Sequence, residues 1–301
     1  MGLTRIALVT DSTWSLPPEL AEEMGIRVLP LHVNAGRTAL VDRAEDMDRI
    51  LRLLRTTALT TSQPTPGEVR DLLHSLADGG AEGIVCVHLS DRLSGTVASV
   101  RGVAEEVAAD RHLPIEVVDT RTVAGALGYA VAVAGASLAA GDPMATAVAR
   151  ARECATSSRV FLSVADLGHL QRGGRLRGPQ LVLGTALGIK PVLTVRDGEI
   201  RLLESVRGTA RAHQRLVALA LRAARSGSAR DPRRRISVAV HHVDARQAAE
   251  RVAARVAEEA VTAGVEIDRL DVTPMAGVLA VHAGPEALAV AMARTGGLIH
   301  S

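Results

Sequence analysis

Aromatic side chains are nearly absent from this sequence of 301 residues. It has one Trp, one Tyr and one Phe, so its apolar core must be built from Ala, Val, Leu and Ile. Proteins that bind single-stranded nucleic acids commonly stack the bases on aromatic rings. The net charge of +2 also gives no strong attraction to nucleic acid or to an anionic membrane. We therefore expect no nucleic-acid partner.

Cysteine is scarce as well. Cys86 and Cys154 lie in or beside apolar segments, and buried free thiols in a reducing cytosol are a better interpretation than a single disulfide. The first residues lead directly into a predicted strand and lack the pattern of a signal peptide. The apolar stretch 123–140 is interrupted by glycines, which favours a buried helix over a membrane span. These features predict a cytoplasmic protein with no integral membrane segment.

Several catalytic and cofactor-binding motifs are missing. The sequence has no Gly-x-Ser-x-Gly elbow of a serine hydrolase, no phosphate-binding Walker loop and no Gly-x-Gly-x-x-Gly after its first strand. Neighbouring His241 and His242 would point to opposite faces of a strand, so they are poorly placed to share a metal ion. We expect no metal, no cofactor and no catalytic residue of the chain's own.

The pattern that is present alternates short apolar strands with helices. Strands are predicted at 5–10, 26–33, 83–89 and 115–118, and helices at 17–24, 45–55, 66–76, 96–109 and 123–140. Such alternation predicts an α/β fold with a parallel sheet covered by helices on both faces. From about residue 158 onward, a strand at 160–164, a hairpin (190–195 with 199–206) and βα units (strands 236–241 and 266–272) predict an α+β domain. We therefore expect domains 1–157 and 158–301, with the ligand site between them.

Hydroxyl-bearing residues recur at the predicted junctions between strands and helices. They occur as Asp11-Ser12-Thr13, Thr61-Ser62-Gln63-Pro64 and Ser94-Gly95-Thr96. Ligands of α/β proteins usually bind at the carboxyl ends of the strands, where helix N-termini offer free N–H groups to anions. With few carboxylates nearby, the pattern predicts a site that holds an anionic head group through neutral donors.

Two other features can be interpreted in more than one way. His282 stands in a small-residue turn before Gly284-Pro285, suited either to a directed hydrogen bond with a ligand or to a structural role. The glycine- and arginine-rich loop 172–178 fits protein docking better than nucleic-acid binding, because the total charge is nearly neutral and aromatics are missing. Ser94-Gly95-Thr96 could also be an ordinary helix cap.

Taken in order, these motifs resemble the DegV family of bacterial fatty-acid-binding proteins, the binding subunits of fatty acid kinase. The resemblance spans nearly the whole chain and rests on the following runs: Val9-Thr10-Asp11-Ser12, Pro30-Leu31, Thr61-Ser62-Gln63-Pro64, Leu93-Ser94-Gly95-Thr96, Val118-Asp119-Thr120, Arg172-Gly173-Gly174-Arg175-Leu176, Ile189-Lys190-Pro191, Arg207-Gly208 and His282-Ala283-Gly284-Pro285. One departure is that Ala280 and Glu286 stand where the family usually has glycines around the late histidine.

The resemblance implies a non-catalytic subunit that buries a long-chain fatty acid and presents its carboxylate to a separate ATP-binding kinase subunit, which makes an acyl phosphate for phospholipid synthesis. It implies that Thr61, Ser94 and His282 bind the carboxylate, and that Arg175 and Arg207 dock the kinase. Secondary ligand contacts are expected from four neighbouring residues: Ser12, Ser62, Gly95 and Thr96.

The energetics of burial agree with such a ligand. At roughly 0.8 kcal/mol per buried CH₂ group, about 15 methylenes gain on the order of 10 kcal/mol on leaving water. Two enzymatic alternatives stay open: an esterase that uses Ser94, and a dihydroxyacetone-kinase-like subunit in which His282 engages a small carbonyl substrate. Covalent labelling of Ser94 would favour the first, and a small polar cavity would favour the second.

Overall fold

The computed structural model describes residues 5–176, 188–226 and 235–297, and the structural statements below concern these residues. The strands in chain order are β1 (Ile6–Asp11), β2 (Arg27–Leu29), β3 (His32–Ala35), β4 (Thr38–Val41), β5 (Thr60–Ser62), β6 (Gly83–His88), β7 (Ile115–Asp119), β8 (Arg159–Ser163), β9 (Ile189–Arg196), β10 (Glu199–Arg207), β11 (Ile236–His242), β12 (Ile267–Pro274) and β13 (Leu288–Ala293). The α-helices are α1 (Pro18–Glu23), α2 (Ala44–Leu54), α3 (Pro66–Asp78), α4 (Thr96–Arg111), α5 (Gly125–Ala139), α6 (Met144–Ser157), α7 (Gly168–Arg172), α8 (Thr209–Arg225), α9 (Arg246–Ala263) and α10 (Gly277–Ala283).

The first sheet is parallel, in the order β2-β1-β6-β7, which confirms the predicted α/β class. Every residue of β6 is buried, because helices cover both faces of the sheet. Val85 and Val87 pack in the cluster around α5, whereas Ile84 and Cys86 pack with α3 and α4. The N-terminus of α3 has the capping box expected from its sequence, with Thr65 and Glu68 bonded reciprocally.

The predicted strand at 26–33 is wrong, because the chain divides there into two strands of different sheets. β2 ends at Leu29, and β3 begins at His32 in a small antiparallel sheet of order β4-β3-β5. Pro30 lies between them and, lacking an N–H group, cannot continue a sheet ladder. The sequence analysis also does not predict β4 or β5. In the structure Thr61 lies within β5, opposite Val33 of β3.

The second sheet has six strands in the order β10-β9-β8-β13-β11-β12, of which only β11 and β12 pair in parallel. The predicted hairpin is confirmed as β9 and β10. The prediction missed β13, a central strand of small apolar residues that pairs with both β8 and β11. Helices α8 and α9 pack together and contribute to the core that covers this sheet.

Helix α5 joins the two halves of the structure. It is buried along nearly its whole length, as predicted for the stretch 123–140, and packs against strands of both large sheets. The Tyr129 hydroxyl donates to Asp271 over 2.9 Å. None of the helices in the described part of the chain is long and apolar enough to cross a bilayer. Because the core around α5 draws residues from both halves, the division at 157/158 stays a prediction, although α6 ends at Ser157 and β8 begins at Arg159.

His241 lies at this junction and is used for structure. Its Nδ1 is 2.8 Å from Thr273 Oγ1, and its Nε2 accepts from the Gly125 N–H at 3.0 Å. Burial lowers its pKa to about 3, so the ring is neutral at ordinary pH. Among the residues described, no group of three or more His, Cys, Asp or Glu side chains is arranged to hold a metal ion. Cys86 and Cys154 are buried free thiols.

Candidate functional site

A cavity of about 320 Å³, the rim cavity, lies at the carboxyl edge of the parallel sheet. Residues that follow all four of its strands line it, namely Thr13, Leu31, Leu89 and Val123. The other lining residues come from β5, the segment before α4, β10, α10 and the loop after α7; they are Thr61, Ser62, Gln63, Leu93, Ser94, Gly95, Arg175, Ile200, Val278, Leu279 and His282. Much of this wall is apolar, and its described lining includes no Asp or Glu.

Thr61 and His282 meet in the wall of the rim cavity. Thr61 Oγ1 and His282 Nε2 are 2.9 Å apart and bring β5 and α10 together. Burial, with smaller contributions from the charges of Arg175 and His169, lowers the pKa of His282 to about 4. The ring is therefore neutral at ordinary pH. When Nε2 carries the proton, His282 donates to Thr61, and the Thr61 hydroxyl is then free to donate to a ligand.

The helical setting of His282 corrects the predicted turn. His282 lies in the last turn of α10, and the helix ends at Gly284, whose φ of 81° is readily adopted by glycine. Its Nδ1 is buried and has no hydrogen-bond partner in the described structure. A Cβ atom added to Gly173 would overlap this nitrogen. Glycine at position 173 is thus what allows the loop after α7 to pack against the imidazole ring.

Asp42 holds the other end of α10. Its Oδ1 accepts from the Gly277 N–H at 2.6 Å, and its Oδ2 accepts from the Ser12 hydroxyl at 2.6 Å. Burial raises the pKa of Asp42 to about 6, although these hydrogen bonds favour the ionised form. Sequence reasoning missed Asp42, because its role depends on β4 and α10 meeting in the fold, which no local pattern shows.

Ser94 lies directly before α4 and lines the rim cavity. Its Oγ is 2.9 Å from Thr96 Oγ1 and accepts from the Thr96 N–H at 3.3 Å. The amide of Gln63 packs so closely on Gly95 that a Cβ atom there would overlap it. This contact brings the Thr-Ser-Gln and Ser-Gly-Thr segments together. In the described chain no histidine is hydrogen-bonded to Ser94.

The four expected secondary contacts divide into two groups. Ser62 and Gly95 line the rim cavity, whereas Ser12 and Thr96 do not. The Ser12 hydroxyl donates to Asp42, and Thr96 is fully buried beside Ser94. Thr13, the next residue after Ser12, lines the cavity instead.

The two arginines expected to dock a kinase are in different surroundings. Arg175 is half-buried and lines the rim cavity, where its Nε donates to the Leu93 carbonyl at 3.0 Å and one terminal NH₂ group donates to Gly173 at 2.5 Å. Arg207 is exposed at the end of β10. The last two residues of the 172–178 loop lie outside the described residues. Sequence reasoning did not place the charge of Arg175 in the cavity wall.

Comparison with known proteins gives a consistent result over nearly the whole chain. The DegV family model, described as an uncharacterised protein of the DegV family, matches residues 5–295. A DegV domain-containing protein of Streptomyces coelicolor is 35% identical over 287 residues, which cover 95% of this chain and 97% of the relative.

Solved structures agree with the sequence comparison. The Thermus thermophilus protein, described as a fatty-acid-binding DegV family protein, has a TM-score of 0.81 and 30% identity, covering 96% of this chain and 99% of its own. The fatty acid binding DegV family protein of Streptococcus agalactiae has a TM-score of 0.83 and 26% identity, with the same coverage of both chains. This protein therefore belongs to the DegV family.

Proposed function

We propose that this protein binds a long-chain fatty acid, buries the acyl chain and presents the carboxylate to a separate kinase subunit that converts it to an acyl phosphate. The observation that carries the proposal is an apolar cavity at the rim of the parallel sheet whose wall contains Thr61, Ser94 and His282. Relatives described as binding fatty acids share this fold.

The lining of the rim cavity suits an acyl chain. Leu31, Leu89, Leu93, Val278 and Leu279 give it an apolar surface. Each methylene transferred from water to such surroundings gains roughly 0.8 kcal/mol. Most of the affinity should therefore come from the hydrocarbon, and the polar residues have only to offset the cost of removing one carboxylate from water.

The polar wall supplies what that carboxylate needs. The hydroxyls of Thr61 and Ser94 are neutral donors, the Nε2–H of His282 orients the Thr61 hydroxyl, and Arg175 adds a positive charge beside them. Since the described lining has no Asp or Glu, a ligand carboxylate would meet no like charge there. Hydrogen bonds to an ionised group contribute about 1.5–3 kcal/mol each.

Presentation to a kinase fits the arrangement better than catalysis by this chain. Ser94 has Thr96 as its neighbour rather than a histidine, and His282 is engaged with Thr61. We propose that exposed Arg207, together with Arg175, helps to dock the ATP-binding kinase subunit. The ATP that this subunit consumes places the proposed reaction in the cytoplasm, where the acyl phosphate would enter phospholipid synthesis.

Native mass spectrometry and calorimetric titration with palmitate test the proposal. We expect protein purified from bacteria to carry a fatty acid, and delipidated protein to bind palmitate. Ser94→Ala should weaken palmitate binding about tenfold, because one charge-assisted hydrogen bond is lost, without changing the circular dichroism spectrum.

Ser75→Ala provides the matched control, since Ser75 is exposed on α3 and does not line the cavity. It should bind palmitate like the wild type. Protein that is isolated without lipid and takes up no palmitate or oleate would overturn the proposal. Equal affinities for wild type and Ser94→Ala would remove Ser94 from the carboxylate site.

A further inference from the structure

A second cavity of about 490 Å³ lies against the rim cavity. Three residues, Thr61, Arg175 and His282, line both cavities. They therefore form a partition, with the apolar rim cavity on one side and the second cavity on the other. A group held by Thr61 and His282 would stand at the boundary between the two spaces.

The wall of the second cavity is basic. It includes Arg55, Arg172 and Arg175 together with His169, and none of its described lining residues is Asp or Glu. Arg55 is paired with Asp244. Arg172 is exposed, and no ion-pair partner for it is found within the described ranges. We call this space, lined by α7, the loop after it and residues 54–61, the basic chamber.

His169 is held in place at the wall of the basic chamber. Its Nδ1 lies 3.2 Å from the Val281 carbonyl oxygen, so that nitrogen carries a proton and donates it. Val281 adjoins His282 on α10, which ties α7 to the helix that carries the carboxylate-binding histidine. Gly173 also lines the chamber, and a Cβ atom at this position would overlap the imidazole of His282.

We propose that the basic chamber binds the phosphoryl group of the acyl phosphate, with Arg172 as the recognition residue; this rests on the proposed function. A fatty acid whose carboxylate lies at Thr61 and His282 has its methylene chain in the rim cavity. A phosphoryl group attached to a carboxylate oxygen must then project away from the chain, across the partition. The space it reaches is the one lined by arginines.

The chemistry of the wall matches this ligand class. A terminal phosphoryl group carries close to two negative charges near neutral pH, with three acceptor oxygens. Arginine presents a planar set of donors that can bind two phosphate oxygens at once. A carboxylate alone has less charge and ends at the partition, so Arg172 should distinguish the acyl phosphate from the free fatty acid.

Calorimetric titration with two ligands tests the proposal. One is palmitate, and the other is the stable β-ketophosphonate analogue of palmitoyl phosphate, in which a CH₂ group replaces the bridging oxygen. Arg172→Gln should weaken binding of the phosphonate about tenfold and leave palmitate binding within about twofold of wild type, whereas Arg172→Lys should retain part of the phosphonate affinity. Arg246→Gln, at an exposed position in the first turn of α9, is the matched control and should change neither affinity.

Two results would overturn the inference and leave the proposed function intact, and a third would refute the proposed function. In the first, the wild type binds palmitate, but Arg172→Gln shows no selective loss of affinity for the phosphonate. This result would show that Arg172 does not contact the phosphoryl group. Saturation of the site by inorganic phosphate, with no preference for the phosphonate, would assign the chamber to the free anion instead. Failure of the wild type to bind palmitate at all would refute the proposed function itself.

Discussion

Asp42→Asn should change the pH dependence of stability in a way that isolates one buried carboxyl group. Burial raises the pKa of Asp42 from its ordinary 3.8 to about 6. The folded protein therefore binds more protons at this group than the unfolded chain does between about pH 4 and pH 6. The contribution of Asp42 to the free energy of unfolding is largest below this window and falls as the pH rises through it.

The expected change in unfolding free energy follows from the size of the pKa shift of Asp42. At about 1.36 kcal/mol per pKa unit, a shift of roughly two units is worth about 3 kcal/mol. Asn cannot ionise, yet its Oδ1 can still accept from the Gly277 N–H, and its amide can donate to Ser12. The unfolding free energy of Asp42→Asn minus that of wild type should thus increase by about 2.5 kcal/mol from pH 4 to pH 7.5, because part of the full effect lies below pH 4.

Urea denaturation at several pH values measures this difference. Trp14 is the only Trp in the sequence and is buried, so its fluorescence reports unfolding. The lowered pKa values of His241 and His282 act in the opposite direction, since their contribution is lost as the pH falls. They are present in both proteins and cancel in the difference.

Asp48, which is exposed on α2, provides the control, and Asp48→Asn should not reproduce the increase expected for Asp42→Asn. A difference between Asp42→Asn and wild type that is flat from pH 4 to pH 7.5 would refute the reasoning. It would mean that Asp42 titrates in the folded protein as it does in the unfolded chain.

Three further variants test other parts of the structure. Gly173→Ala adds a Cβ atom that overlaps His282, so we expect palmitate affinity measured by calorimetry to fall at least about tenfold; wild-type affinity would contradict the packing described for this loop. Tyr129→Phe removes the buried donor to Asp271 and should lower the unfolding free energy in urea by about 1–3 kcal/mol; an unchanged value would mean that this bond is not needed. Arg207→Ala should slow phosphorylation by the kinase subunit and spare palmitate binding, and a parallel loss of both would contradict a docking role.

The parts of the fold that depend on local pattern were predictable. The strand–helix alternation of the first half, the capping box at Thr65 and the hairpin of β9 and β10 all follow from residues close together in the sequence. The buried nature of α5 follows from its composition of small and apolar residues. These features need no knowledge of distant contacts.

The features that were missed depend on tertiary contacts. β13 is short, rich in alanine and stabilised by strands on both sides, so its propensity alone does not reveal it. The short β5 owes its strand conformation to pairing with β3. Asp42 contacts the first residue of α10, the helix that carries His282, only because α10 packs against the end of β4.

For the candidate site, the sequence motifs pointed to Thr61, Ser94 and His282, and the fold places these three residues in the wall of one cavity. It did not distinguish Ser12, which supports Asp42, from Thr13, which lines the cavity. Ser12 and Thr13 both carry a hydroxyl group, so their chemistry does not tell them apart. Only the path of the chain after β1 places Thr13 in the cavity wall and Ser12 beside Asp42.

The position of β13 has a consequence for biosynthesis. This late segment lies between β8 and β11, with Leu288 opposite Ser163, so the second sheet cannot be closed while residues 288–293 are still being translated. Until then β8 and β11 expose unpaired edges, and the apolar face of α5 lacks part of its cover. Nascent chains of this protein should therefore depend on chaperones until residues 288–293 have left the ribosome, and ribosomal stalling before β13 should leave the exposed edges of β8 and β11 prone to aggregation.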